Sequence, residues 1–339
     1  MTDGIYTLAN DKVYDQLIAF LNSVAVNAGD YPVAVFAYDE HTERIAAEIA
    51  QRPNVTLLND PALFKPWEDL SYQVWGTHPT ALQNWQQQGI QGVRRLGANH
   101  RYAAFDATAP FDRFIYFDAD VVVLNDLGFM FEQLDRSDVV TYDFQFKDPS
   151  HIYNVNSAKL HDIFPPGRIA QEIFCSGCFG GHRHLLPPEQ RLDLVKQLAA
   201  GEAEILYPRA PNQSVLNYLL MRSRQSIHNF AVHLDPTEST GCAVTSTHFE
   251  TRDHLLFDRG NRLTYLHYIG LDIALFPRLC AGENLDLPYR ETFLTYRYWH
   301  HPEERPRFKG QPKPLDAPLS LLQRIRRKAK RWFSEGKSK

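Results

Sequence analysis

The sequence predicts an α/β protein in which helices flank a mostly parallel central sheet. The first observation is that short β-forming runs alternate with segments of helical periodicity from the start of the chain. The second is that a β-α-β-α-β succession of this kind joins its strands by crossovers, which makes them parallel neighbours. In open sheets of this class the binding crevice lies at the carboxyl ends of the strands.

The composition is that of a folded globular protein. Of the 339 residues, 44% are hydrophobic and 22% are charged, and the length fits either two domains or one large α/β domain with additions. A net charge of -4 argues against a nucleic-acid binder, and four cysteines are too few for a disulfide framework. There is no apolar run of transmembrane length and no basic signal region at Met1-Thr2-Asp3, so we expect a cytoplasmic protein.

The first half of the chain carries the predicted β-α-β-α-β unit. β-forming residues predict a strand at 4–9, and Asn10 is the predicted N-cap of a helix with apolar residues at helical spacing from Val13 to Val24. The elements predicted next are a strand at 33–37, a short helix at 41–50, a strand at 55–58, helix and loop at 66–92, and a helix at 94–108.

The second half is predicted to complete the sheet and to carry a long functional loop. Residues 144–167 form a polar connection of a length that is uncommon unless it is functional. The predicted elements are strands at 113–117, 138–142 and 263–267 and helices at 127–134, 188–200 and 212–220. The predicted organisation is a catalytic domain at 1–300, a Pro-rich linker at 301–318 and a basic amphipathic tail at 319–339.

Two carboxylates interrupt the most apolar strand of the sequence. Asp118 and Asp120, separated by Ala119, follow the run Phe114–Phe117 and precede a second apolar run. Buried carboxylates need compensation, which a Mg²⁺ or Mn²⁺ ion that prefers oxygen ligands can supply. The alternative is a solvated turn whose aspartates cap the next element. The apolar flanks favour the metal site.

Eight segments, in the right order, resemble one enzyme family. They resemble the retaining, nucleotide-sugar-dependent glycosyltransferases of the glycogenin and lipopolysaccharide-galactosyltransferase type (family 8), which have the Rossmann-like GT-A fold. The resemblance spans roughly residues 4 to 275. Its segments are Tyr6–Tyr14, Leu21–Val24, Arg101, Asp118-Ala119-Asp120, Val139–Asp143, Phe174–Phe179, Pro211–Asn217 and Leu266–Gly270.

The resemblance implies a role for each matching residue. Asp118, Asp120 and His267 would bind Mn²⁺ or Mg²⁺, Asp143 would orient donor hydroxyls, and Gln213 would lie near the reacting face of the sugar. Asn212 would lie on the acceptor side of the catalytic centre. The donor nucleotide and its diphosphate would be contacted by Leu8, Ala9, Asn10, Asp11, Tyr14, Arg101, Ala119 and Gly270.

The function implied by the resemblance is metal-dependent transfer of a sugar from a nucleotide sugar, with UDP-sugars as the first expectation. The acceptor would be a glycan, a lipid-linked glycan or another acceptor, and the anomeric configuration would be retained. A nucleotidyltransferase is one alternative, although the Gly-rich basic loop of that class is absent after the first predicted strand. A catalytically inactive nucleotide-sugar-binding homologue is another.

Three positions depart from the pattern of the family. Asn212 stands where the family usually has Asp, and Cys175 stands where it has Asn. Residues 271–276 carry no lysine, so the Lys-Pro-Trp that follows the histidine motif is missing and Arg101 is the evident cation for the diphosphate. An altered donor or acceptor, or reduced activity, are the consequences that these departures leave open.

Several other polar residues allow two interpretations of their role. His267 by itself would be a hydrogen-bonded histidine, and only Gly270 and the upstream aspartates favour a metal ligand. Cys175 and Cys178 form a Cys-x-x-Cys pair without a second pair, so packing is favoured over zinc or redox chemistry. His151 lies in the long polar loop, where contact with an acceptor and solvation are both open.

The sequence pattern of the C-terminal segment predicts that this segment contacts an anionic membrane surface. Six positive charges fall within eight residues, and apolar residues recur around them at helical spacing. A protein-docked or solvated tail is the alternative. The charged residues are Arg324, Arg326, Arg327, Lys328, Lys330 and Arg331, followed by Trp332 and Phe333.

Overall fold

The computed structural model describes residues 1–315, so the predicted tail at 319–339 and the end of the predicted linker lie outside the described residues. Twelve strands occur in the described part: β1 Asp3–Ala9, β2 Val33–Ala37, β3 Val55–Leu58, β4 Arg113–Phe117, β5 Val121–Val123, β6 Val139–Thr141, β7 Cys178–His182, β8 Ile227–Asn229, β9 Glu250–Arg252, β10 Leu255–Asp258, β11 Asn261–Arg262 and β12 Tyr265–His267.

Twelve α-helices accompany the strands in residues 1–315: α1 Tyr14–Asn27, α2 Glu43–Ile49, α3 Pro61–Thr77, α4 Ala81–Gln87, α5 Gly128–Gln133, α6 Leu160–Ile163, α7 Pro166–Glu172, α8 Pro188–Ala199, α9 Pro211–Arg222, α10 Phe230–His233, α11 Leu275–Cys280 and α12 Arg290–Arg297. Short 3-10 helices fill several connections, and the longest of them spans Leu96–Phe105. None of the described helices is both long and apolar enough to cross a membrane.

The central sheet has seven strands in the order β3-β2-β1-β4-β7-β6-β8. Strands β3, β2, β1 and β4 are parallel to one another, and β8 is parallel to β6. Strand β7 runs antiparallel to both of its neighbours, β4 and β6. The prediction of a mostly parallel sheet with flanking helices is therefore confirmed, and the inserted antiparallel strand is its one exception within this sheet.

The predicted elements of the first half lie close to their observed positions. The strands at 33–37, 55–58 and 113–117 agree with β2, β3 and β4. The side-chain oxygen of Asn10 accepts a hydrogen bond from the backbone N–H of Lys12, so the predicted cap is confirmed, although a 3-10 turn separates it from α1. The helix predicted at 94–108 is a 3-10 helix, because backbone bonds there close tighter turns.

The central strands bury both faces of the sheet. In β4, Phe114 and Tyr116 pack into a core on one face, whereas Ile115 and Phe117 pack into a second core on the other. This alternation follows from the two-residue period of a strand. Full burial of each such side chain contributes roughly 1.5–3 kcal/mol, so the strand that leads to the carboxylate pair is firmly anchored.

A smaller layer holds the C-terminal elements against the end of the sheet. Strands β5 and β12 pair antiparallel, and β9, β10 and β11 form a separate antiparallel sheet. Helix α12 packs along α1 through a third apolar core that includes Phe293 and Tyr268. The amide group of Asn22 in α1 donates to the carbonyl of Tyr296 at 2.7 Å and ties the two helices together.

Candidate active site

The carboxylate pair lies where the chain leaves the central sheet. Asp118 follows the last residue of β4, and Asp120 precedes the first residue of β5. The backbone N–H of Val121 closes this turn on the carbonyl of Asp118 at 3.1 Å. The turn sits at the carboxyl end of a parallel strand, which is where open α/β sheets place their binding crevice.

The pairing of β5 with β12 brings a histidine to the same point. His267 lies opposite Val121 in this ladder, and the N–H of Tyr268 donates to the carbonyl of Asp120 at 2.9 Å. As a result, ligand atoms of Asp118, Asp120 and His267 all lie within 4.8 Å of one another. The structure therefore assembles the three residues that the sequence predicted as metal ligands.

Each carboxylate has its own cation. The Arg101 guanidinium lies 3.1 Å from an oxygen of Asp118, and Nε2 of His267 lies 3.3 Å from Oδ1 of Asp120. Burial by itself would lower the pKa of His267, but the Asp120 carboxylate raises it well above its usual range. Burial opposes ionisation of Asp120, but the nearby His267 holds the pKa of that carboxyl below its usual value.

The donor set suits a divalent cation. The ligand atoms of two carboxylates and one imidazole lie within 4.8 Å of one another. Two ligands bound to one ion at about 2.2 Å lie at most about 4.4 Å apart, so side-chain adjustments would bring all three onto one ion. Carboxylate oxygens suit Mg²⁺ and Mn²⁺, whereas an imidazole ligand favours a transition metal such as Mn²⁺. Asp118, Asp120 and His267 thus fit the divalent metal ion that the sequence predicted.

Gly177 allows the histidine ring to approach the backbone. A Cβ atom at this position would lie 2.3 Å from Cε1 of His267, a distance that no real side chain tolerates. The carbonyl of Gly177 also accepts the N–H of Asp118 at 3.0 Å. The turn before β7 is therefore shaped around both the first carboxylate and the imidazole.

Arg101 is a buried organiser of this turn. Its guanidinium is 3% exposed and donates to the carbonyl of Ser176 at 2.6 Å and to the carbonyl of Ala98 at 2.9 Å. Burial would lower the pKa of Arg101, but Asp118 raises it above its usual value. The sequence predicted Arg101 as the cation of the donor diphosphate, whereas most of its donors in the structure are already used by the protein.

Asp143 lies buried at the end of β6. Its carboxylate accepts hydrogen bonds from the backbone N–H groups of Gln145 and Cys175, at 2.6 and 2.9 Å, and from the hydroxyl of Thr141 at 3.1 Å. Burial nevertheless raises the pKa of this carboxyl to about 6. A carboxylate of this kind is an acceptor with a fixed orientation, which suits the predicted recognition of sugar hydroxyls.

Asn212 and Gln213 open helix α9 and face the same turn. The amide of Asn212 donates to the hydroxyl of Ser176 at 3.1 Å, and the side-chain oxygen of Gln213 accepts the N–H of Ser176 at 3.1 Å. Gln213 also donates to the carbonyl of His151 at 3.2 Å. Asn212 is 5% exposed, so it supports the turn from behind, while Gln213 is only half-buried.

The carboxylates open onto a cleft of about 440 Å³. Five of the eight predicted donor-binding residues line this cleft, together with the two aspartates: Leu8, Ala9, Asn10, Arg101 and Ala119. The sequence interpretation missed Lys12, Tyr38, Arg95 and Ile273, which also line it. Lys12 lay inside the quoted motif and could have been found there, whereas Arg95 is brought in only by the tertiary fold.

The other three predicted donor-binding residues, Asp11, Tyr14 and Gly270, are not in the lining of this cleft. The carboxylate of Asp11 accepts the backbone N–H groups of Arg44 and Ile45 and so holds the start of α2. Tyr14 lines a different cavity, and its hydroxyl donates to Glu48 at 3.0 Å. Gly270 takes a left-handed backbone with φ of 80° in the turn after β12. Its freedom shapes the loop that delivers Ile273 to the cleft.

Solved structures supply the similarity that sequence comparison does not. No protein-family model matches the chain, and neither does any curated protein. An active-site mutant of the galactosyltransferase LgtC superposes with a TM-score of 0.50 at 13% identity, over 86% of this chain and all of that one. LgtC in complex with donor and acceptor sugar analogues gives 0.48 at 14% identity over 82% of this chain and 94% of that one.

Mouse xyloside xylosyltransferase 1 is a further match, with a TM-score of 0.46 at 12% identity over 70% of this chain and 87% of that one. Identities this low establish the fold and nothing finer. LgtC is a family 8 galactosyltransferase, and the architecture that the sequence resemblance implied is confirmed at the level of fold. The described chain has the GT-A fold of glycosyltransferases.

Proposed function

We propose that this chain is a glycosyltransferase that moves a sugar from a nucleoside diphosphate sugar to a glycan or lipid-linked acceptor. The observation that carries the proposal is the convergence of Asp118, Asp120 and His267 at the mouth of a cleft large enough for a nucleotide. UDP-sugars are the first donors to test, and retention of the anomeric configuration follows the resemblance of the sequence to family 8.

Asp118, Asp120 and His267 would hold a divalent ion, with Mn²⁺ favoured by the imidazole ligand. When bound, such an ion offsets negative charge on the two phosphates and on the departing nucleoside diphosphate. Arg101 would keep Asp118 ionised and oriented through the 3.1 Å contact between them. Asp143 would accept hydrogen bonds from donor hydroxyls when it is ionised, that is, above a pH of about 6.

Lys12 and Arg95 supply the mobile positive charge that the missing family lysine would have given. Both side chains are exposed and line the cleft, and neither forms an ion pair with any residue in 1–315. Arg95 has a φ of 55°, a left-handed conformation that non-glycine residues adopt rarely and that functional sites often retain. We therefore assign to these two residues the contact with the diphosphate that the family resemblance implied for Arg101.

The test is a panel of UDP- and GDP-sugars incubated with the full chain in Mn²⁺ or in EDTA. We expect one donor to raise the melting temperature and to release its nucleoside diphosphate only with the metal, because ligand binding stabilises by mass action. Asp120→Asn should abolish both effects while the chain stays folded. Asp162→Asn, a change of the same chemistry at an exposed carboxylate, is the matched control.

Two results would contradict parts of the proposal. If no donor on the panel binds or turns over, the transferase assignment fails. If a donor binds in a metal-dependent manner but is never transferred or hydrolysed, the chain is a nucleotide-sugar-binding homologue, which is the alternative that Asn212 favours. Retention would be checked by NMR of the product formed with a working donor.

A further inference from the structure

A second polar cavity is lined by segments that adjoin, along the chain, residues of the candidate active site. It has a volume of about 680 Å³ and is formed by α4, the segment around Arg94, and the segment Leu206–Arg209 that leads into α9. Arg94 is the chain neighbour of Arg95, which lines the donor cleft, and Arg209 lies shortly before Asn212 and Gln213. Two segments that line this cavity, which we call the arginine pocket, are therefore continuous along the chain with residues of the candidate active site.

The walls of the arginine pocket are fixed by hydrogen bonds. The N–H of Asn154 donates to the carbonyl of Ile205 at 2.7 Å, and the N–H of Tyr207 donates to the hydroxyl of Ser214 in α9 at 2.9 Å. Nδ1 of His78 accepts the N–H groups of Thr80 and Ala81 at 3.2 and 3.1 Å and so holds the start of α4. A ligand would thus meet a preformed surface.

The charge of the pocket is opposite to that of the whole chain. The chain has a net charge of -4, yet the pocket lining contains two arginines and no aspartate or glutamate. Within residues 1–315, neither Arg94 nor Arg209 makes an ion pair or a side-chain hydrogen bond. The nearby Glu204 is engaged by Lys159, whose ammonium lies 2.7 Å from it.

His78 adds no positive charge to the arginine pocket. Burial lowers the pKa of His78, so its ring is neutral at physiological pH and acts as a hydrogen-bond acceptor to the backbone. The positive charge of the pocket therefore comes from the two arginines. Guanidinium groups bind carboxylate and phosphate groups through paired hydrogen bonds, which makes them suitable for anionic ligands.

The rest of the lining suits a carbohydrate. Exposed amides from Asn84, Gln87 and Gln88 lie on one wall, with Tyr207 on another. Amide groups both donate and accept hydrogen bonds, as recognition of sugar hydroxyls requires. Trp85 forms the base and is held by edge-to-face packing against Trp75, with ring centroids 5.0 Å apart.

We propose that the arginine pocket is an acceptor subsite for a glycan that carries a carboxylate or a phosphate group. Arg94 and Arg209 would bind the anionic group, and the neighbouring amides would bind hydroxyls of the same sugar or the next one. The proposal rests on the proposed glycosyltransferase function, because it places the acceptor next to the cleft that receives the donor. It predicts that the enzyme prefers acidic acceptors to neutral ones of the same size.

The experiment measures binding of the full chain, without donor or metal, to an array of di- and trisaccharides. The array carries neutral, uronic-acid-containing and phosphorylated members, and 0.15 M salt screens contacts with exposed charges such as those of the basic tail. The test variant is Arg94→Gln/Arg209→Gln. The control is Arg136→Gln/Arg307→Gln, which removes the same charge from exposed arginines that form no ion pair within residues 1–315.

We expect acidic members of the array to bind best and the test variant to bind them at least about tenfold more weakly, since charge-assisted hydrogen bonds carry that much free energy. Arg94→Lys/Arg209→Lys should give an intermediate loss, because the charge remains and the paired geometry does not. The uronic-acid and phosphate members distinguish the two anionic groups. Binding of neutral members should be unchanged.

Absence of any preference for acidic glycans would overturn the subsite, as would an equal loss of binding in the control variant. The outcome is separable from that of the transferase test. A preference for acidic glycans without any sugar transfer contradicts only the proposed function. Transfer to neutral acceptors alone, at an unchanged rate in the Arg94→Gln/Arg209→Gln variant, overturns only the subsite.

Discussion

At the scale of single residues, the two kinds of cation near the carboxylates have different tasks. Arg101 is buried and bonded to the turn before β7, whereas Lys12 is exposed at the mouth of the cleft. We expect Arg101→Leu to lower the free energy of unfolding by about 3 kcal/mol or more, because it leaves a buried network without its cation. Lys12→Gln should cost less than about 0.5 kcal/mol.

Urea unfolding and donor titration together check this division. Lys12→Gln should weaken binding of the donor while leaving the unfolding midpoint unchanged. The purified Arg101→Leu chain should have a lower unfolding midpoint, and its metal-dependent donor binding should weaken as well, because Asp118 loses the cation that orients it. If Arg101→Leu is as stable as the wild type and has lost only donor affinity, the original assignment of Arg101 to the diphosphate is correct.

Asp143 gives a second prediction, which concerns pH. Burial raises its pKa to about 6 from an ordinary value of 3.8, so the folded chain takes up a proton there between those two pH values. Stability contributed by this group is therefore present at low pH and is lost as the pH rises through about 6. Asp143→Asn does not titrate at this position, and its stability relative to the wild type should rise by roughly 2.4 kcal/mol from pH 4 to pH 7.

Urea midpoints of both chains in EDTA at several pH values measure this difference. All other titrating groups are common to the two chains, so the slope of the difference isolates Asp143. Asp162→Asn, the same chemical change at an exposed position, is measured alongside as the control for the substitution. A difference that stays constant from pH 4 to pH 7 would mean that the hydrogen bonds from Gln145 and Cys175 offset the effect of burial.

At the scale of elements, the turn before β7 limits where the ring of His267 can lie. Gly177→Ala would place a Cβ atom 2.3 Å from the imidazole, so the ring must move. We expect the variant to fold and to lose the rise in melting temperature that Mn²⁺ gives, a loss of about 2.7 kcal/mol of stabilisation when the ion is at a hundred times its Kd.

Gly76→Ala is the matched control for this change. Gly76 lies in α3, and a Cβ atom there meets nothing within 4 Å. Alanine should be neutral or should stabilise the chain by about 0.4–1 kcal/mol, with an unchanged response to Mn²⁺. If Gly177→Ala also keeps a normal response to Mn²⁺, the imidazole of His267 is not a ligand.

The elements also show which parts of the fold the sequence could predict. Strand β4 and the aspartates after it could be predicted because an uninterrupted apolar run is followed by charged residues. Strand β7 was not predicted as a strand, since Cys178, Gly180 and Gly181 lack the side chains that favour strands. Gly180 is nevertheless required, because a Cβ atom there would lie 2.8 Å from the carbonyl of Phe114 in β4. Contact with a neighbour, invisible in the sequence, dictates the residue.

In the candidate site, too, some features could be predicted from the sequence and others could not. The convergence of Asp118, Asp120 and His267 could be predicted because the two aspartates are one residue apart and the histidine lies in a recognisable segment. The hydrogen-bond partners of Arg101 and Asp11 could not be predicted, because only the tertiary fold supplies them, as Ser176 and Arg44 show. Spacing along the chain places a residue near a site but does not show which of its hydrogen bonds the protein already uses.

At the scale of the whole molecule, positive charge is concentrated near the C-terminal end of a chain that is acidic as a whole. Residues beyond 315 lie outside the described structure, and their sequence concentrates six positive charges in the eight residues 324–331 of a chain with net charge -4. Anionic headgroups contribute on the order of 1 kcal/mol for each cation close to the surface. Trp332 and Phe333 add apolar and interfacial side chains. We therefore predict that this segment holds the protein reversibly at an anionic membrane, which would suit a lipid-linked acceptor.

Co-sedimentation with vesicles tests this prediction. The full chain and a chain truncated after Pro314 are mixed with phosphatidylglycerol-containing or neutral vesicles at low and at physiological salt. We expect the full chain to pellet with anionic vesicles, less so as salt rises, because screening weakens the attraction. The truncated chain should stay in the supernatant and should keep its metal-dependent response to the donor, since the cleft is built from residues before 274. Equal and negligible binding of both chains to anionic vesicles at low salt would rule out the anchor, and the segment would then be assigned to solvent or to contact with protein.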